Sequence, residues 1–157
     1  MEGIPKNDTG LVQSLRRTAR HASCGASRRT EGPYPDRIYP SPAQGDEKLI
    51  AALIQVESEG DDNAIGDKHL ADKAYGCLQI RQPVCDDVNR VYGTSSKAQD
   101  MLNNRALSVQ FARKYWTIYK TDEEKTRCHN GGPSARLKGT KMYAATTAYW
   151  ARVEAVL

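Results

Sequence analysis

The chain has 157 residues, and its 23 Lys and Arg against 19 Asp and Glu give a formal charge of +4. This length fits one domain with a single core, and 39% hydrophobic with 27% charged residues is typical of a globular protein. The longest apolar run covers residues 49–54, far fewer than the ~20 residues of a membrane span. Composition therefore excludes a membrane span and, with four cysteines, a disulfide-dense mini-protein.

Residues 1–45 differ from the rest of the chain in charge and composition. They hold seven basic and four acidic residues, whereas residues 46–157 hold 16 basic and 15 acidic residues. We expect the first segment, which also contains several prolines, to be a disordered or loosely attached arm. The nearly neutral second segment, residues 46–157, is expected to fold as one domain and not to bind nucleic acid. The first segment contains no apolar stretch of the ~7–15 residues that a signal peptide requires, so we predict no signal peptide.

The first predicted helix runs from about residue 47 to residue 58. Ile50, Leu53 and Ile54 form one apolar stripe at helical spacing, and Glu57 continues that stripe. A carboxylate that ends an apolar face is unusual, because Glu is rarely buried without a partner or a purpose.

The other patterns predict further helices and one small β lobe. Turn-forming residues and the extended stretch 74–80 indicate a hairpin within residues 61–82, which we call the β lobe. Helical periodicity predicts helices near residues 83–92, 104–119, 122–128 and 141–155. The expected caps of the first helix are Asp46 and Gly60. The expected buried positions of the last helix are Met142, Thr146, Tyr149 or Trp150, and Val153. The predicted fold class is α+β and mostly helical.

Glu57 is the foremost candidate for a catalytic group. A carboxyl group that ends an apolar stripe just before a polar turn would lie at the lip of a cleft, where partial burial favours the protonated form. Such a group can act as a general acid. The alternative is a helix-terminal glutamate that points into solvent.

A second carboxylate for glycoside cleavage would come from the β lobe. A retaining glycosidase places its second carboxylate about 5–5.5 Å from the acid. Asp67 and Asp72 both lie in the β lobe, so either could face Glu57. The alternative is that both aspartates only form turns.

No metal and no organic cofactor is predicted. The cysteines form no CxxC pair and the three histidines are scattered, so metal binding has little support. We expect buried free thiols or a single disulfide instead. The sequence also lacks a P-loop and a GxGxxG fingerprint. The four cysteines are Cys24, Cys77, Cys85 and Cys128.

Several fragments resemble the motifs of the lysozyme-like superfamily. Residues 56–60 (VESEG), 63–67 (NAIGD) and 75–80 (YGCLQI) are similar to the ESxG, NAIG and GxxQI motifs of bacterial soluble lytic transglycosylase domains. Residues 129–133 (HNGGP) and 149–153 (YWARV) are similar to the HNGGP loop and the terminal YWxKV of invertebrate-type lysozymes.

The resemblance covers about residues 49–153 and implies a lysozyme-like fold and a bacteriolytic, antimicrobial glycosidase. It implies that Glu57 is the catalytic acid and that the substrate is bacterial peptidoglycan, cleaved between N-acetylmuramic acid (MurNAc) and N-acetylglucosamine (GlcNAc). It also implies extracellular action, and we expect a monomer. The residues expected to bind substrate are Ser58, Gly76, Gln79, Asn130 and Gly131.

The chain departs from invertebrate-type lysozymes in its cysteine content and in its second acid. It has only four cysteines, so their disulfide lattice is missing, and no aspartate lies at the offset of their second acid. The expected function is hydrolysis by Glu57 with Asp67 or, alternatively, Asp72; Asp67 is favoured because it directly follows the NAIG fragment. The other functions that remain open are lytic transglycosylation by Glu57 alone and glycan binding without turnover.

Overall fold

The structure, a computed structural model, describes residues 45–157. The helices in this part of the chain are α1 (Glu47–Ser58), α2 (Gln82–Tyr92), α3 (Arg105–Trp116), α4 (Asp122–Gly131), α5 (Lys141–Ala145) and α6 (Thr147–Glu154). Short 3-10 helices cover Ala98–Met101 and Pro133–Arg136, and strands β1 (Ile65–Gly66) and β2 (Ala74–Tyr75) pair antiparallel. The predicted mostly helical α+β fold with a small hairpin lobe is confirmed. The predicted arm lies, except for its last residue, outside the described residues.

Helix α1 buries the apolar stripe that its sequence predicts. Ile50 and Leu53 are buried, and Ile54 packs half-buried against the same hydrophobic cluster. The helix ends at Ser58 as predicted, but the residue that caps it is Glu59, which takes the left-handed conformation with φ 54°, and not Gly60. The stripe thus fixes α1 against the core and brings the last turn of the helix to the protein surface.

The start of α1 is held by an ion pair instead of the predicted cap. The Asp46 side chain makes no hydrogen bond to the first turn. Its Oδ1 lies 2.6 Å from Nζ of Lys125, and both side chains are largely buried. The carboxylate is therefore turned towards α4, and the pair joins the first helix to the fourth.

The β lobe is less extended than its sequence indicates. Of the predicted stretch 74–80, only the first two residues form a strand. Gly76 then takes a left-handed φ of 74° and accepts a hydrogen bond at 3.0 Å from the N–H of Gln79, which closes a tight turn. A Cβ atom at Gly76 would lie 2.5 Å from the carbonyl oxygen of Met101, so the turn requires glycine.

The core joins the helices on either side of the β lobe. Leu53 of α1, Phe111 and Trp116 of α3, and Val153 of α6 are all buried in one hydrophobic cluster. Close packing of these side chains fixes the end of α1 relative to α6. This arrangement positions the candidate site described below.

Helix α4 is longer than predicted. It continues to Gly131 and ends at Gly132, which has a φ of 73°. The residues His129 and Asn130 therefore lie in the last turn of a helix and not in a loop. Helical spacing, rather than loop geometry, decides which of them faces α1.

The predicted last helix is divided into two helices. The break lies at Thr146, whose hydroxyl donates to the carbonyl oxygen of Met142 at 2.9 Å and competes with the regular backbone pattern. Met142 was expected to be buried but is 38% exposed. Thr146, Tyr149 and Val153 are buried as predicted.

Arg127 of α4 ties α4 to α5 and to the break before α6. Its side chain is 4% exposed, and Nε donates to Oε1 of Glu123 at 2.8 Å. Nη1 donates to the carbonyl oxygen of Tyr143 at 2.9 Å and to Oγ1 of Thr146 at 3.2 Å. The hydrogen bond from Arg127 also lowers the pKa of Glu123 below its usual value. The buried guanidinium group thus links α4 to α5 and to the segment before α6 by hydrogen bonds.

Replacing Arg127 by Met should lower the free energy of unfolding by about 2–4 kcal/mol, because Met fills similar space but leaves buried acceptors without their donor. Denaturant-induced unfolding measures the change. Arg136→Met, at an exposed arginine of the following 3-10 helix, is the control and should change the free energy of unfolding by less than ~0.5 kcal/mol. Similar effects of both substitutions would contradict this role of Arg127.

Candidate active site

A cleft lies where the end of α1, the β lobe and the end of α4 meet. The cleft is lined by four titratable side chains: two carboxyl groups, one arginine and one histidine. Its lining residues are Glu57, Asp67, Ala74, Gln79, Ile80, Arg81, Val84, His129 and Asn130. Such a concave surface with convergent polar groups is typical of a ligand-binding site.

Glu57 lies in the last turn of α1 at this cleft, and 16% of its side chain is exposed. The hydroxyl of Tyr149 on α6 donates a hydrogen bond to Oε1 of Glu57. Burial, together with the neighbouring Glu57 carboxylate, raises the pKa of Tyr149, so its hydroxyl stays protonated and remains a donor. Oε1 is therefore held in place, while Oε2 has no hydrogen-bond partner among residues 45–157.

His129 also lies next to Oε1 of Glu57. Its side chain is 3% exposed, and Nε2 lies 4.0 Å from Oε1 of Glu57. The same Nε2 lies 2.8 Å from the carbonyl oxygen of Leu78, and because a carbonyl only accepts, we assign the proton to Nε2. The ring contacts Trp116 edge-on at a centroid distance of 5.7 Å. His129 therefore joins the end of α4 to the β lobe beside Glu57.

Gln79 lines the cleft, as predicted for a substrate-binding residue. Its Nε2 donates to the carbonyl oxygens of Gly76 at 2.7 Å and Ala64 at 3.3 Å. A Cβ atom at Gly66 would lie 2.1 Å from Oε1 of Gln79, so the glycine makes room for this side chain. The amide group is thus held rigidly across the β lobe.

The other predicted substrate-binding residues occupy different places. Asn130 lines the cleft. Ser58 donates to the carbonyl oxygen of Cys77 at 2.9 Å and so fastens the β lobe to α1. Gly131 packs against α5 and the break before α6, where a Cβ atom would lie 2.7 Å from Cγ2 of Thr146. Ser58 and Gly131 are therefore not among the residues that line the cleft, and neither is the buried Gly76.

The two candidate second carboxylates differ in position. Asp67 lines the cleft and forms an ion pair with Arg81. Its backbone is left-handed, with φ 49°. Asp72 is half-buried in the β lobe and is not among the lining residues. The structure thus brings Asp67 to the cleft of Glu57, but with a cation bound to it.

Sequence reasoning assigned no site role to three residues of this region, Arg81, His129 and Tyr149. The sequence predicts burial for Tyr149, and it places His129 in the HNGGP fragment without a role of its own. Both lie in fragments that carry the family resemblance, and that was the available signal. Arg81 follows the GxxQI fragment directly, and its position next to the predicted Gln79 was its signal.

The cysteines of this part of the chain are buried and unpaired. Cys77, Cys85 and Cys128 are free thiols, and burial raises the pKa of each, that of Cys85 to about 12. Within residues 45–157, no group of three or more His, Cys, Asp or Glu side chains could hold a metal ion. The same residues include no helix with the length and hydropathy needed to cross a membrane.

The domain is mostly helical, carries a small hairpin lobe, and holds a carboxyl group from the end of its first helix in a cleft. These features are those of a lysozyme-like protein. The family described as Transglycosylase SLT domain matches residues 40–151, and the chain belongs to this family. The predicted lysozyme-like resemblance is therefore confirmed, and the protein is a lysozyme-like enzyme that acts on peptidoglycan. No curated protein and no solved structure matches the chain.

Proposed function

We propose that the protein is a lytic transglycosylase that cleaves the MurNAc–GlcNAc β-1,4 bond with Glu57 as its single catalytic carboxyl group. The observation that carries this proposal is the different pairing of the two carboxyl groups that line the cleft. Glu57 accepts a hydrogen bond from a neutral hydroxyl, whereas Asp67 is paired with the Arg81 guanidinium. A carboxylate that is neutralised by a cation is a poorer nucleophile towards a sugar carbon. The family match supports the same activity.

The proposed reaction uses one carboxyl group twice. Glu57 donates its proton from Oε2 to the glycosidic oxygen, the bond between this oxygen and C1 of MurNAc breaks, and GlcNAc leaves as an alcohol. The Glu57 carboxylate then removes the proton from the 6-hydroxyl of MurNAc, whose oxygen bonds to C1. The product carries a 1,6-anhydro ring, Glu57 is protonated again, and no water is consumed.

The neighbours of Glu57 support this double role. Tyr149 donates to Oε1 and leaves Oε2 for the substrate. His129 donates to Leu78 and so keeps the β lobe next to the acid. Asn130 and Gln79 add amide groups to the cleft, which can bind the N-acetyl and hydroxyl groups of the sugars.

Hydrolysis is the second candidate function, and the presence of Asp67 in the same cleft favours it. Asp67 would have to leave Arg81 and attack C1 or stabilise the oxocarbenium-like transition state. Water would then complete the reaction and produce a reducing end.

Product analysis distinguishes these functions. Purified peptidoglycan is incubated with the full chain, and the soluble muropeptides are analysed by mass spectrometry before and after borohydride reduction. We expect anhydro products, which are one water lighter and do not react with borohydride. Products with reducing ends would instead support hydrolysis, and binding without any release would support a glycan-binding domain.

Asp67→Asn and Asp72→Asn should each change the rate of muropeptide release at saturating substrate by less than about threefold, because the proposed reaction requires no second carboxylate. Circular dichroism of both variants controls for folding. A loss of tenfold or more for Asp67→Asn alone would instead assign it a direct role in a two-carboxylate hydrolysis. The same loss for Asp72→Asn alone would transfer that role to Asp72.

A further inference from the structure

Arg81 is a cation with unused hydrogen-bond donors in the catalytic cleft. It lies directly before α2 and lines the cleft together with Glu57 and Asp67. Its side chain is 40% exposed. Nη2 donates to Asp67, whereas Nη1 and Nε have no hydrogen-bond partner among residues 45–157.

Two other arginines of the domain direct their guanidinium groups to partners inside the protein. Arg127 uses Nε and Nη1 to join helices. Arg105 donates from Nε to Asp62 at 2.9 Å and from Nη2 to the carbonyl oxygen of Gly60 at 2.7 Å. Arg81 differs because its pairing leaves two nitrogens open at the one place where substrate is expected.

We propose that Arg81 forms a subsite for a carboxylate group of the substrate. A planar guanidinium group matches a carboxylate well, and its charge-assisted hydrogen bonds are stronger than those between neutral groups. Asp67 fixes Nη2 and thereby orients the guanidinium group before the ligand arrives. The backbone of Asp67 is itself held, because its carbonyl oxygen accepts from the N–H of Leu70 at 2.7 Å.

The charges of the cleft are compatible with an anionic ligand group. Asp67 is neutralised by Arg81, and Glu57 is uncharged when it acts as the acid. A carboxylate that approaches Nη1 and Nε of Arg81 therefore meets hydrogen-bond donors. It meets no unpaired negative charge as long as Glu57 is protonated. The subsite would then select glycans that carry carboxylates over uncharged polymers of GlcNAc.

This inference rests on the proposed function, because it assigns the ligand within the same substrate. In peptidoglycan the carboxylates come from two sources. The stem peptides carry carboxylates close to MurNAc, and a MurNAc that has lost its peptide exposes the carboxylate of its lactyl group. Both sources offer the same chemistry to Arg81, and they can be separated by treating the substrate.

The test measures binding, so that it does not depend on the type of product. The full chain with Glu57→Gln is sedimented with three preparations: intact peptidoglycan, peptidoglycan with its carboxyl groups amidated by carbodiimide, and glycan strands that are stripped of peptides by an amidase and then immobilised on beads. We expect the dissociation constant for the amidated preparation to be about tenfold higher than for intact peptidoglycan. Adding Arg81→Gln should raise the dissociation constant for the intact preparation by a similar factor and leave that for the amidated preparation unchanged.

Two further variants make the result specific. Arg81→Lys keeps the charge and should retain part of the preference for carboxylates. Arg90→Gln is the matched control, because Arg90 also pairs with an aspartate, Asp87, but lies on the exposed part of α2 outside the cleft. It should bind all preparations as the parent protein does.

The outcomes separate the source of the carboxylate from failure of the inference. Arg81-dependent binding to stripped strands supports the lactyl group, and Arg81-dependent binding to intact peptidoglycan alone supports the stem peptide. Equal binding with and without Arg81→Gln on both intact peptidoglycan and stripped strands would overturn the subsite, and so would an equal loss on intact and amidated preparations. Product analysis of the active protein tests the transglycosylase proposal separately.

Discussion

Peptidoglycan cleavage should fall by about 10²–10⁴-fold when Glu57 is replaced by Gln, because Gln retains the shape of the side chain but can neither donate nor remove the proton. The amide oxygen of Gln can still accept the hydrogen bond from Tyr149, so the fold should be preserved. The rate of muropeptide release per amount of folded protein measures the effect.

Glu59→Gln is the matched control for this substitution. Glu59 lies two positions along the chain, is exposed, and ends α1 without lining the cleft. Its replacement should leave the rate within about twofold of the parent protein. A folded Glu57→Gln protein with nearly normal activity would remove Glu57 from the mechanism.

Tyr149→Phe should lower kcat by about 10–100-fold and leave KM within about twofold of its original value. The phenol hydroxyl fixes Oε1 of Glu57, and without it the carboxyl group can turn away from the glycosidic oxygen; displacements of this kind cost about 10²-fold. Steady-state kinetics on soluble glycan strands separates the effect on kcat from the effect on KM.

Tyr143→Phe provides the control for Tyr149. Tyr143 also donates to a glutamate, Oε1 of Glu123 at 3.2 Å, but this pair lies outside the cleft. Its loss should affect the free energy of unfolding and leave kcat unchanged. If Tyr149→Phe raised KM without lowering kcat, Tyr149 would act in substrate binding instead of positioning the acid.

The sequence was informative where a pattern is local. The stripe of Ile50, Leu53 and Ile54 predicted both helix α1 and the position of Glu57 at the edge of a cleft. Helical periodicity found the other long helices for the same reason, because burial repeats along a helix. Periodicity did not predict the division of the last helix at Thr146. That division depends on the Thr146 hydroxyl, which donates to a backbone carbonyl four residues earlier.

The parts that sequence reasoning missed depend on contacts between residues that are not neighbours in the chain. Asp46 is a good helix cap by type, yet Lys125 of another helix binds its carboxylate. Asp67 is a possible nucleophile by position, yet Arg81 binds it. In each case a local preference was overruled by a charged partner that only the folded chain brings near.

The hydrogen bond between Tyr149 and Glu57 joins residues that are 92 positions apart in the chain. A contact of such long sequence separation can be made only after the intervening segment has been synthesised and its large loop has closed. During synthesis the acid therefore emerges from the ribosome long before the group that orients it. A nascent chain that has not yet completed α6 holds an unsupported glutamate, and full activity should arise only when the whole domain has folded.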